Sequence, residues 1–196
     1  MNKRLTLSLL VASGVLLGVT LALLVPASPD REAIEWLENP RALAPFSLQS
    51  NAGEFNEGSL TGHWTVVLFG FLNCPDVCPT GLARMGSLAE RLAPMTDARV
   101  SFVFVSVDPA RDSLENINTY VTKFHPSFVG VTGSHEDLVQ FAGALGVQFR
   151  VRAEGEVAHS TTYSIIDPSG SFRGRFRPGF DVTGVAGNLA RQSKES

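Results

Sequence analysis

The 196-residue chain has only two cysteines, Cys74 and Cys78, four positions apart in "FLNCPDVCPT". It has no excess of basic charge: 16 Lys and Arg stand against 19 Asp and Glu, a net charge of −3, so nothing points to nucleic acid. It has no long run of charge of one sign, no internal repeat and no low-complexity tract. No cysteine lies near residue 27, which excludes a lipoprotein. With 44% hydrophobic residues the chain is long enough for one ordinary core and hardly long enough for two.

Charge is also missing from Leu5 to Pro29, and this absence follows a basic start, Lys3 and Arg4. Leu5 to Val25 is nearly all apolar, about the 20 residues that span a bilayer and longer than the core of a cleaved signal. Residues 1–27 therefore read as an N-terminal transmembrane anchor, with a signal peptide cut after Ala27 as the alternative. The positive-inside rule keeps Lys3 and Arg4 in the cytoplasm. The expected topology is single-pass in the inner (cytoplasmic) membrane, with the remaining chain on the periplasmic, extracytoplasmic side. A thiol pair there tends to oxidise unless a metal or a dedicated reductant protects it.

Beyond the apolar run, residues 28–45 read as a tether, 46–192 as the folded domain and 193–196 as a tail. "FSLQSNAGEF" has the turn chemistry of a short hairpin. "HWTVVLFGFL" and "RVSFVFVSVD" are continuous apolar runs of strand length, as buried strands require. Pro79 to Leu92, "DSLENINTYVTKFH" and "SHEDLVQFAGALG" carry helical spacing, with Asp112 or Ser113 and then Ser134 as N-caps. "TTYSIIDPSGSFRGRF" reads as a hairpin and "DVTGVAGNLARQ" as a closing helix. The alternation predicts an α/β, thioredoxin-like fold: a mostly parallel central sheet flanked by helices, with a C-terminal antiparallel hairpin. Sites in such sheets form at the carboxyl ends of strands, where Cys74 and Cys78 stand.

If residues 74–78 make a helical turn, both sulfurs share one face, and a helix N-terminus lowers a thiol pKa. Two thiolates form a soft pair suited to Cu(I) and compatible with Zn. Four histidines are available as a third donor. His63 opens a strand at its far end, His125 suits a helix cap and His135 a solvated first turn. His159 begins the segment that a thioredoxin layout brings nearest the cysteines. A thiol–disulfide couple without metal and a peroxidase using Thr80 and Arg84 remain open. So does a structural disulfide, although a five-residue loop removes little chain entropy.

"FGFLNCPDVCPTGL", "VSVDPARD" and "HSTTYSIIDPSG", in this order and spacing, resemble the Sco/SenC family of copper-binding, thioredoxin-fold cytochrome c oxidase assembly proteins. The resemblance covers roughly residues 43–190. It implies one copper per chain, as Cu(I) or Cu(II), bound by Cys74, Cys78 and His159, with the cysteines closing to a disulfide when oxidised. It places Asp76 and Asp108 near the site; turn caps account for both equally well. It implies service to the CuA centre of cytochrome c oxidase subunit II, by copper delivery or by keeping its cysteines reduced, with another copper chaperone or a thiol reductant as a further partner. The protein is then a metallochaperone more than an enzyme. Arg173, Arg175 and Arg177 alternate on the hairpin and suggest a surface for an acidic partner, or the charged face of an edge strand.

Overall fold

The computed structural model describes residues 33–151 and 157–195. The segment read as an anchor lies outside the described residues, and among those residues no helix is long and apolar enough to cross a membrane. The strands are β1 (Glu35–Ala42), β2 (Leu48–Ser50), β3 (Gly53–Phe55), β4 (Trp64–Gly70), β5 (Val100–Ser106), β6 (Phe128–Thr132), β7 (Phe149–Val151), β8 (Val157–His159), β9 (Tyr163–Ile166) and β10 (Ser171–Phe176). The helices are α1 (Val77–Leu92), α2 (Leu114–Val121), α3 (His135–Ala144) and α4 (Val182–Gln192).

Every residue of β4 is buried, because helices cover both faces of the sheet. Val66 and Leu68 pack with Leu82, Met85 and Leu88 of α1 and with Val185 and Leu189 of α4. Val67 and Phe69 face the opposite way, onto Leu138 and Phe141 of α3. A strand buried on both faces needs apolar residues at every position, which is why it reads as a run rather than an alternation. Ser113, Ser134 and Asp181 accept backbone N–H bonds at the starts of α2, α3 and α4, as N-caps do.

The eight-stranded sheet has the order β1-β10-β9-β4-β5-β6-β2-β3. Only β4–β5 and β5–β6 are parallel; the remaining neighbours are antiparallel, so the sheet is mixed rather than mostly parallel. Hairpins cause this, since β9–β10 adds to one side of the parallel trio and β2–β3 to the other.

Part of the segment read as a tether belongs to the sheet. β1 pairs antiparallel with β10, Ile34 is fully buried, and the Trp36 ring meets Trp64 edge-on at 6.1 Å. β10 is thus an interior strand. Its arginines are engaged: Arg175 forms a two-bond pair with Glu35, and Arg173 donates to the Leu37 carbonyl and lies over the Trp36 ring.

Candidate metal centre

Three connections set the site at the carboxyl end of β4. The first is Gly70, the last residue of that strand. A Cβ there would fall 2.6 Å from the Phe104 ring and 2.8 Å from the Cys78 sulfur, so a bare backbone is what lets Cys78 pack against the strand end. The second is Asp112, a buried carboxylate. Its Oδ2 accepts from the Leu72 N–H at 2.9 Å and from the Ser106 hydroxyl at 2.5 Å, tying the cysteine loop to the end of β5. The third is Tyr163, whose hydroxyl donates to the Gly81 carbonyl at 3.0 Å. Its ring stacks on Phe176 with centroids 4.7 Å apart, fixing β9 beneath the first turns of α1.

The two cysteines differ. Cys74 precedes α1, half-buried, and its sulfur accepts from the Cys78 N–H at 3.4 Å. Burial works to raise its pKa. The Cys78 amide and thiol and the amides of Asp76 and Val77 outweigh that by stabilising the thiolate, and leave the group below its ordinary value. Cys78, in the first turn of the helix, is 2% exposed, and burial pushes its thiol up to about 12. The sulfur of Cys74 and the carboxylate of Asp112 add to that rise, against a backbone bond at Phe71.

His159 brings its Nε2 to 3.8 Å from the Cys78 sulfur. Its Nδ1 lies 3.0 Å from the Ser160 carbonyl, which can only accept, so Nδ1 carries the proton and Nε2 presents its lone pair to the sulfur. Burial lowers the imidazole pKa, keeping the ring neutral. Phe71 stands edge-on to it at 5.9 Å. The residue ends β8, which pairs with β7 in a separate two-stranded ribbon, rather than opening the strand of the C-terminal hairpin.

The other histidines are engaged elsewhere: His63 at the Thr61 carbonyl, His125 at Ser127 and His135 against the Phe149 ring. Asp76 sits at the N-cap position of α1, but its side chain makes no capping bond and instead accepts from Thr80 at 3.5 Å. Asp108 is buried and ion-paired with Arg111. Of the two N-cap candidates, Asp112 and Ser113, the structure gives the place to Ser113. The cue to the other role of Asp112 lies in the spacing of Asp108-Pro109-Ala110-Arg111-Asp112, a turn in which the Asp112 N–H donates to the Asp108 carbonyl at 3.0 Å.

Cys74, Cys78 and His159 are therefore neighbours in pairs. Among the described residues no three His, Cys, Asp or Glu side chains stand together as a group that could hold a metal ion. A cavity of about 230 Å³ opens beside Cys78 and His159, walled mostly by apolar groups.

The family model described as SCO1/SenC matches residues 35–194. An SCO2-like protein of Rickettsia prowazekii is 32% identical over 178 residues, covering 87% of this chain and 86% of its own. The human mitochondrial SCO1 homolog is also 32% identical over 178 residues, 85% of this chain but 59% of that longer protein. The crystal structure of Arabidopsis thaliana ScoI with copper bound superposes with a TM-score of 0.72 at 30% identity, over 78% of this chain and 98% of that one.

Proposed function

The chain belongs to the SCO1/SenC family, and on that premise we propose that it carries copper on Cys74, Cys78 and His159 and serves assembly of the CuA centre of cytochrome c oxidase subunit II. The observation that carries this reading is the lone pair of His159 aimed at the Cys78 sulfur 3.8 Å away, with the Cys74 sulfur held at the start of the same helix. Two sulfurs and a neutral imidazole are a soft, low-coordination donor set, which Cu(I) favours. Closing the set requires the three side chains to draw together, since among the described residues they do not stand as a metal-holding group. Copper here is cargo: three donors leave room for a partner's ligand to enter, so the ion can pass by exchange. Loading releases protons, because both thiols must ionise and the Cys78 thiol is otherwise protonated at neutral pH.

The unequal thiols also favour a second reading, reduction of the partner's cysteines. Cys74, with its lowered pKa and partial exposure, would attack, and buried Cys78 would resolve the mixed disulfide. Residues 1–27 would hold the domain at the membrane on its extracytoplasmic side; alkaline carbonate extraction and protease access in spheroplasts check this.

The test of function is complementation. Cells carrying C74S, C78S or H159A in place of the wild-type chain are expected to lose CuA absorption and oxidase activity. Feeding copper rescues a delivery defect, and feeding a membrane-permeant thiol rescues a reduction defect. Normal CuA in all three strains would refute both readings.

A further inference from the structure

The cavity beside Cys78 and His159 continues along α1, and its outer wall is graded in charge. Asp76, Thr80 and Arg84 line it, spaced four residues apart and therefore stacked along one helix face over about 12 Å. Asp76 lies at the cysteine end and Arg84 at the far end. Among the described lining residues they are the only carboxylate and the only Lys or Arg. The rest of the described lining is mostly apolar, Val77, Gly81, Tyr163 and Pro178 among it, and the Thr80 hydroxyl donates to Asp76. Val77 is 47% exposed, one of only two large apolar side chains so exposed among the described residues. Arg84 spends one nitrogen on the Phe180 carbonyl at 2.8 Å, which fixes the opposite wall, and keeps further N–H donors for a ligand.

We propose that this cavity is the docking groove for an extended segment of a partner protein that presents a soft donor to Cys78 and His159, lays an apolar side chain on Val77 and Pro178, and places a carboxylate at Arg84. The proposal rests on the copper-and-thiol reading of the same site and adds which groups select the partner. An occupant bringing a thiol or imidazole to Cys78 must enter along the apolar floor, since the Cys78 sulfur is otherwise buried. A space of about 230 Å³ takes the side chains of an extended segment rather than a folded surface. The charge order fixes direction, with an acidic residue farther from the donor than the apolar one.

The test uses the full-length protein, reduced and at low salt, with two fluorescent peptides, Ac-Gly-Cys-Leu-Gly-Asp-Gly and the same sequence with Lys for Asp. Binding is read by anisotropy for the wild type and Arg84→Glu, beside copper stoichiometry. The wild type is expected to bind the Asp peptide about three- to tenfold more tightly, and Arg84→Glu to reverse that order while still taking up one copper. Equal binding of the two peptides by the wild type overturns the proposal. So does an Arg84→Glu protein that keeps the wild-type order or binds neither. A wild type that prefers the Asp peptide, with the order reversed in Arg84→Glu, but that itself takes up no copper would sink the copper reading and leave the groove standing.

Discussion

At the scale of single residues, the site is a contrast between two like side chains. Cys74 owes its lowered pKa to amides at the start of α1, and Cys78 owes its raised one to burial. Alkylation with iodoacetamide followed by peptide mapping should modify Cys74 with a midpoint below that of a free thiol and leave Cys78 unmodified until well above pH 9; equal reactivity would contradict the asymmetry. Stability follows the same shifts. The folded state holds the Cys78 proton up to about pH 12, so the unfolded chain loses that proton first, and stability falls as pH rises above about 9. His159 is shifted downward, so the unfolded chain takes up a proton first on acidification, and stability falls below about pH 6.5. Asp112→Ala would leave the partly buried Leu72 N–H without its partner. Urea unfolding should show a loss of about 1–3 kcal/mol, with weaker copper uptake because the cysteine loop is freed. The cysteines were legible from their spacing and His159 from its position along the chain. Asp112 was not, because a carboxylate before Ser113 reads equally well as a cap.

At the scale of elements, legibility tracked burial. β4 and β5 announce themselves because both faces of the sheet are covered, and the helices because one face of each is. β1 gives no such signal. "EWLENPRA" is mostly exposed, contains Pro40, and shifts register between Trp36 and Arg41, all of which an edge strand tolerates and none of which is patterned. The parallel trio and the two hairpins were legible from alternation and turn chemistry, but the antiparallel joining of each hairpin to that trio was not, since periodicity marks burial and not pairing. The short β7–β8 ribbon carries His159 but offers too few residues for a period to show. What holds β1 can be ranked by magnitude. Ile34 is wholly buried, and Ile34→Ala should cost about 2–5 kcal/mol by urea denaturation. The Glu35–Arg175 pair is about half exposed on both sides, and Arg175→Ala should cost under about 1 kcal/mol. The reverse ranking would mean that β1 is held by charge and not by burial.

At the scale of the whole molecule, metal, redox state and stability are linked. On the proposed ligand set a Cys74–Cys78 disulfide would offer copper no thiolate, so copper should raise the melting temperature of the reduced protein alone. With copper free at a hundred times its Kd, the gain is about 2.7 kcal/mol, or roughly 5–10 °C for a chain of this size. An equal gain in the oxidised protein would place the copper elsewhere. The most direct measurement of the central claim is X-ray absorption at the copper edge on the reduced, copper-loaded protein, beside the stoichiometries of C74S, C78S and H159A. The account predicts one copper with two sulfur neighbours and one imidazole nitrogen, losing the nitrogen in H159A and a sulfur in each cysteine variant. A copper shell without sulfur, or one unchanged in all three variants, would contradict it.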